Sequence, residues 1–269
     1  MDLRGASAES VAALTEELRS AVADAPDKAA PAADSLFAVA DALRAEPGLR
    51  RFATDASVPD EAKKGLVADV FGKLDGTAVA LVTSAVQRRW THAGDLADAA
   101  QRLSEIATVL SAGKDGDRLS DELFAVLRTV QDNPALRDAL AEPARSTADK
   151  GALVDSLLDG RALPATVTLV KRALEGTYGT VSAALGEYRR LAAEVHGEGV
   201  ATVQVAKALT DAELERLTGA LSRQYGRPVH VNVVVDAALI GGIRVAIGDD
   251  VIDGSIASRL DEARRRLAG

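Results

Sequence analysis

The chain has 269 residues, of which 47% are hydrophobic and only 3% aromatic, and carries a formal net charge of −8, with a sequence pI of about 5.0. That length allows about two domains. The acidic balance argues against a general nucleic-acid binder, which needs a basic surface to displace counterions, and the absence of cysteine excludes disulfides, thiolate catalysis and cysteine metal sites.

With so few aromatics, the cores have to be assembled from Ala, Val and Leu, in closely packed helices of high intrinsic propensity. The N-terminal stretch MDLRGASAESVAALTEEL has an acidic helical pattern and lacks the basic and apolar regions of a signal peptide. No apolar run approaches the roughly 18 residues of a membrane span. The expectation is a soluble, most simply cytosolic, protein.

The first helix is expected to open near Ser7 as N-cap, with Val11, Leu14, Leu18 and Val22 on its apolar stripe and Glu16, Glu17 and Arg19 on the wet side. The stretch from Asp24 to Pro31 breaks it. A second helix carries Leu36, Val39, Ala40 and Leu43 and ends near Pro47, and a short one follows around 49–53. Pro59 fits an N1 position and opens a helix with Leu66, Val67, Val70 and Phe71. Residues 76–90 form another, rich in Ala and Val. Residues 94–111 then restart the pattern with Leu96, Leu103, Ile106 and Leu110.

An ungapped shift of 87 residues superposes the two halves, setting residue 36 against residue 123. Leu36, Phe37, Ala38 and Val39 match Leu123, Phe124, Ala125 and Val126. Pro47, Leu49 and Arg50 match Pro134, Leu136 and Arg137, and Lys63, Leu66 and Val67 match Lys150, Leu153 and Val154. Helical periodicity alone does not require Pro, Arg and Lys at matching offsets, so the simplest reading is an internally duplicated helical unit. Three parts follow: a first bundle unit over 1–93, a second over 94–198, and a small α+β domain over 199–269.

In the last part helical periodicity stops at the hinge-like loop 196–199, and Val200 to Val205 alternates as a strand. Thr210-Asp211-Ala212-Glu213 is a capping box opening a helix with Leu214, Leu217 and Leu221. Val229, Val231, Val233 and Val235 alternate with His230, Asn232 and Val234, the period of a half-buried strand. A connector from Asp236 to Gly242 leads to a second alternation at Ile243, Val245 and Ile247. Gly248-Asp249-Asp250 signals a tight turn into a short returning strand at Val251 and Ile252. Asp253-Gly254-Ser255 turns the chain into a final helix with Ile256, Leu260, Ala263 and Leu267 on one stripe. The expected order is β-α-β-β-(β)-α, and the expected fold class is mainly α with a small α+β C-terminal domain.

No constellation for catalysis emerges. His92, His196 and His230 lie in different elements, without a second ligand at zinc spacing. G-x-S-x-G is absent. Gly241-Gly242 precedes a strand instead of opening a helix, so it is read as backbone permitting a positive φ or a tight approach. Lys114-Asp115-Gly116-Asp117 lacks calcium-loop spacing. Arg264 to Arg266 suits the negative end of a helix dipole. What remains suggests binding to other proteins. Leu239 and Ile240 sit in a connector, where they either tuck under the sheet or form an exposed apolar site. The stripe Ala78, Val79, Leu81, Val82, Ala85 and Val86 is wide for its length and suits a groove for an amphipathic partner helix.

The run from Val231 to Ile256, with Leu239-Ile240-Gly241-Gly242-Ile243 and Val251-Ile252-Asp253-Gly254-Ser255-Ile256 at its heart, resembles the C-terminal signature of the ATP synthase delta subunit, the oligomycin-sensitivity-conferring protein family. The lead-in from Val203 through Thr210-Asp211 to Leu217 also fits, as do Asn133-Pro134 with Leu136-Arg137 and Lys150 with Leu153-Val154. The resemblance covers 94–269 in ordinary order. The added copy over 7–93 resembles a long bacterial form of the subunit.

This resemblance implies a non-catalytic stator subunit of an F-type ATP synthase, needing no cofactor or metal, that couples proton-driven rotation to ATP synthesis. It implies helical units that bind N-terminal helices of alpha subunits, and a C-terminal domain that grips b-type subunits of the peripheral stalk. It implies attachment to the cytoplasmic face of a bacterial cell membrane only through the complex, and no nucleic-acid partner. The candidate partner-binding residues are Leu239, Ile240, Ile256, Leu260, Leu14, Leu18, Val79 and Val82. The candidate structural motif is Asp236, Gly241, Gly242, Asp253, Gly254 and Ser255. The competing expectation is a free-standing helical scaffold or adaptor that uses the same grooves for unrelated partners.

Overall fold

The computed structural model describes residues 3–23, 25–175, 177–195, 199–226, 228–236, 239, 241–247 and 250–253. Two compact units divide the chain, Met1–Tyr188 and Arg189–Gly269. The first is entirely helical in its described residues, and the second holds one four-stranded sheet. This is the mainly helical fold with a small α+β C-terminal part that the patterning predicts.

The first unit begins with α1 (Ala6–Val22), α2 (Ala29–Ala45), α3 (Pro47–Thr54), α4 (Asp60–Phe71) and α5 (Gly76–Val86). It continues with α6 (Asp95–Leu110), α7 (Gly116–Asp132), α8 (Pro134–Ala141), α9 (Thr147–Leu158) and α10 (Pro164–Ala173), and α11 (Val181–Val195) runs on into the second unit. The internal repeat is visible element by element. The starts of α2, α3 and α4 lie 87 residues before those of α7, α8 and α9, from Ala29 to Gly116, Pro47 to Pro134 and Asp60 to Thr147. Both short helices, α3 and α8, begin with Pro at N1, where its missing N–H costs nothing and its fixed φ suits the first turn.

A tertiary hydrogen bond repeats as well. The Asp75 N–H at the start of α5 donates to Ser35 Oγ at 3.1 Å. In the second copy the Leu163 N–H donates to Glu122 Oε2 at 2.8 Å, and Thr166 Oγ1 donates to the same oxygen at 2.5 Å. Ser35 and Glu122 are themselves 87 residues apart. Both side chains serve an orphan N–H of a helix N-terminus that has no partner within its own helix.

Helix α6 is the hub. It packs along α1 and α2 on one side and against α7 and α10 on the other. Of its 16 residues, 12 are buried, including Gln101, Ser104, Glu105 and Thr108. It follows α5 as α11 follows α10, and it precedes α7 as α1 precedes α2. A single helix therefore closes the first copy and opens the second. Small side chains allow the close approach: Ala29, Ala32, Ala33 and Ala40 of α2 and Ala97, Ala99, Ala100 and Ala107 of α6 are all buried.

Ser7 does not cap α1. Gly5 takes the N-cap position with φ +56°, and the Ser7 hydroxyl joins distant chain segments instead. It donates to Asp95 Oδ2 at 2.6 Å and accepts from the Thr91 N–H at 2.8 Å. Pro59 is the N-cap of α4 rather than its first helical residue. Pro31 lies within the first turn of α2, where a proline removes no intrahelical hydrogen bond.

In the second unit, β1 (Gly199–Val205), α12 (Asp211–Tyr225), β2 (Val229–Val235), β3 (Ile243–Ile247) and β4 (Asp250–Asp253) build a mixed sheet of order β2-β1-β3-β4. Strands β1 and β2 run parallel, and β1–β3 and β3–β4 pair antiparallel. The capping box opens α12: Thr210 Oγ1 accepts from the Glu213 N–H, and the Glu213 carboxylate accepts from the Thr210 N–H at 2.9 Å. Gly226, at φ +66°, closes the helix in the left-handed region that favours glycine.

Ala201, Val203, Val205, Val229, Val245 and Ile247 form the sheet's core with Leu221, and Val231, Val233 and Ile243 pack around it. This is one face of the predicted alternation. Asn232 departs from it, being only 3% exposed with neither side-chain nitrogen nor oxygen hydrogen-bonded. The turn at 248–249, most of the loop at 196–199 and the final helix expected from Ile256 lie outside the described residues.

Candidate protein-docking site

The described residues contain no group of three or more His, Cys, Asp or Glu that could hold a metal ion. The buried ionisable groups of the first unit serve its internal wiring. Glu105 accepts from Gln101 Nε2 at 2.8 Å and from the Tyr178 hydroxyl at 2.7 Å. Burial pushes its carboxyl above the ordinary glutamate range, against the opposing pull of those two donors. Burial likewise lowers Arg172 and raises Tyr178 and Tyr188.

One feature open to solvent among the described residues is an aliphatic groove in the second copy, about 550 Å³ in volume. Its walls are Val126 and Val130 of α7, Leu136 and Leu140 of α8, Leu153, Val154, Leu157 and Leu158 of α9, and Val170 of α10, with Thr129 and Asn133 supplying its polar atoms. It opens because α9 is thinly anchored. Val154 is its single buried residue, whereas its counterpart α4 buries Lys63, Val67 and Phe71. Leu43 and Phe71 of the first copy correspond to the smaller Val130 and Leu158 of the second.

At the groove's rim Leu157 is 44% exposed, and its counterpart Val70 in the first copy is 48% exposed. An aliphatic side chain turned to water at the same register point of both copies is unlike the scattered single exposures of an ordinary surface. Among the described residues of the second unit, the exposed large apolar side chains are Val235 at the end of β2 and Val251 and Ile252 on the edge strand β4.

The residues singled out in sequence are distributed differently. Leu14 and Leu18 are fully buried and Val82 nearly so, while Val79 is half-buried. The stripe on α5 is wide because the helix has four neighbours of its own, α1, α2, α4 and α6, so its apolar face is spent on the protein's core. Leu239 is half-buried, and its N–H donates to the Asp236 carbonyl at 3.1 Å. The Asp236 N–H in turn donates to the Val205 carbonyl at 2.8 Å, which ties the connector to the end of β1. Gly242 takes φ +83°, the positive value expected of the glycine pair, and Gly241 precedes it. Asp253 ends β4. Ile240, Gly254, Ser255, Ile256 and Leu260 lie outside the described residues.

Sequence reasoning missed the α7–α10 groove. The adjacent pair Leu157-Leu158 was the available signal: two consecutive leucines at a helix end cannot both face one core.

Comparison with known proteins gives a consistent result. Residues 106–267 match the family described as ATP synthase delta (OSCP) subunit. The ATP synthase subunit delta of Nocardioides sp. is 54% identical over 269 residues, covering 99% of this chain and 98% of that relative. That of Kineococcus radiotolerans is 43% identical over 240 residues, 88% of this chain and 87% of the relative. That of Streptomyces coelicolor is 41% identical over 270 residues, 99% and 98%. The family match begins inside α6, whereas these relatives extend across the first copy as well. Among the described residues, no helix is long and apolar enough to cross a membrane.

Proposed function

The chain belongs to the ATP synthase delta (OSCP) subunit family, and from that premise we propose which of its surfaces grip the rest of the complex. The protein is a non-catalytic stator subunit that links the catalytic head of the synthase to its peripheral stalk. Held in this way, the head does not turn with the central shaft, and shaft rotation is converted into ATP synthesis.

In our reading the aliphatic groove between α7, α8, α9 and α10 receives an amphipathic N-terminal helix of an alpha subunit. The observation that carries this is the open groove itself, with Leu157 exposed at its rim. An amphipathic helix lays its apolar anchors, spaced by three and four residues, into such a groove. The second unit takes the stalk, formed by b-type subunits, with Val235 and the half-buried Leu239 as its apolar contacts. The protein is then held at the cytoplasmic face of the cell membrane by its partners alone.

A joint under torque has to be tight, and nanomolar binding corresponds to about 12 kcal/mol. That calls for packed helix contacts more than for surface charges, which contribute roughly 0–1 kcal/mol per pair. The test is a titration of the protein with a peptide spanning the alpha subunit's N-terminal helix. Binding that is lost in Leu157→Asp and kept in Val235→Asp supports the assignment. Peptide binding that is indifferent to Leu157→Asp removes the groove from the head contact.

A further inference from the structure

We infer that Arg172 is a positioning residue for the stator function, keying the two helical copies into one strut around the helix they share. The inference rests on the family-level function and not on the groove assignment.

Arg172 belongs to α10, in the second copy, and its side chain is almost wholly buried. One guanidinium nitrogen donates to Ser104 Oγ and, at 2.9 Å, to Thr108 Oγ1. These two hydroxyls lie one turn apart on α6. The other terminal nitrogen donates to Asp34 Oδ1 of α2, in the first copy, at 2.9 Å. The guanidinium carbon also stands 4.8 Å from the centroid of the Phe37 ring, one turn further along α2, within range of a cation–π contact. A single side chain thus touches the second copy, the shared helix and the first copy.

The acceptors are fully prepared for this cation. Ser104 Oγ donates to the Ala33 carbonyl at 2.6 Å, and Thr108 Oγ1 donates to the Ser104 carbonyl at 2.8 Å. Each hydroxyl therefore spends its proton on a backbone oxygen and turns its lone pairs toward the arginine. Only a planar fork with several donors serves three acceptors and an aromatic face together; a lysine ammonium does not. At the corresponding point of the first copy, 87 or 88 residues earlier, stand Ala85 and Ser84. The arginine is thus found where one copy meets the other.

A second string runs parallel to the first. Arg44 of α2 donates to Gln101 Oε1 and, at 3.3 Å, to Asp98 Oδ1, both on α6. Gln101 then donates to Glu105, which accepts from Tyr178 between α10 and α11. Buried polar groups of this kind add little net stability, but they penalise every arrangement in which they lose their partners. They fix one angle between the copies, which suits a tether whose compliance would waste rotation.

The chain has no cysteine, so Asp69→Cys on α4 and Gln131→Cys on α7, both exposed, accept spin labels that report the separation of the copies by electron–electron resonance. The expected result is one narrow distance distribution for the otherwise native chain. Arg172→Met should at least double its width, Arg172→Lys should restore it in part, and Asp34→Ala should broaden it from the first-copy side. In reconstituted synthase carrying Arg172→Met, protons pumped per ATP hydrolysed should fall by at least half while the hydrolysis rate holds. Folded Arg172→Met protein with an unchanged distribution and unchanged pumping overturns the inference. Should that variant fail to fold, Asp34→Ala decides alone, because Asp34 is mostly exposed: an unchanged width in that variant is equally fatal.

Discussion

On the groove assignment proposed above, replacing Leu157 should affect binding more than folding, because this side chain stands at the groove's rim, 44% exposed. Full burial of a leucine stabilises by about 1.5–3 kcal/mol relative to exposure, and Leu157 retains 44% of its exposure in the free protein. A helix that covers the remainder gains about 1 kcal/mol from this residue, which corresponds to roughly fivefold in affinity. Leu157→Ala should therefore weaken binding of the alpha-subunit helix by about fivefold. Leu157→Asp, which forces a carboxylate into the dry contact, should weaken it by well over tenfold. Both variants should still fold, losing about 1–2 kcal/mol of stability from the part of the side chain that is already buried. Val154, in the same wall but buried, provides the internal control, since Val154→Ala should cost stability first. Calorimetric titration with the helix peptide and denaturant unfolding read the two quantities separately. A folded Leu157→Asp protein with unaltered affinity would refute the reasoning at its root.

Three further outcomes follow from the burial pattern. Leu14→Ala should destabilise the first unit by about 2–5 kcal/mol through the cavity it leaves, because Leu14 is fully enclosed; a melting temperature within a degree of the parent would contradict that placement. Asn232→Val should stabilise the second unit by about 1 kcal/mol, since it removes a buried amide without partners and supplies a β-branched side chain to a strand; a lower unfolding midpoint would show that the amide is satisfied in solution. Glu105→Gln should make stability less dependent on pH. Burial raises the Glu105 carboxyl in the fold, so the protonated form is the one folding favours. Its contribution is complete below the unfolded value near 4.5 and is lost as pH rises through the folded value. The variant's stability advantage should therefore grow on going upward from about pH 4.5, and a difference that stays flat from there to pH 8 rules this account out.

The elements legible in sequence were those with one buried face. Helices α2 and α7 carry their cores at three- and four-residue spacing, and Thr210 with Glu213 forms the predicted capping box. Val229, Val231 and Val233 of β2 and Ile243, Val245 and Ile247 of β3 lie on the core side of the sheet as alternation requires, whereas Val235, at the end of β2, is exposed. The candidate site was less legible, for a physical reason. An apolar stripe states that a face is buried but not what buries it. On α5 the stripe is consumed by four neighbouring helices of the same chain. On α9 a similar pattern is left partly uncovered, because Val130 of α7 and the helix's own Leu158 are smaller than Leu43 and Phe71 of the first copy. That distinction depends on packing between segments far apart in sequence, which no local period records.

Helix α6 shows the same limit from the opposite side. In a one-faced helix, Gln101, Ser104, Glu105 and Thr108 would mark the wet side, yet all four are buried. A helix that closes one copy and opens the next has cores on both flanks, so its polar positions are enclosed and each must find a partner. They do so through Arg44 and Arg172 of other helices and Tyr178 of the segment between α10 and α11. The additional copy therefore joins the second through a shared helix, and the family match begins within that helix, at residue 106. Extension by this route adds five helices rather than six. It also links the two helical copies through buried polar contacts, those of Arg172 to Ser104, Thr108 and Asp34.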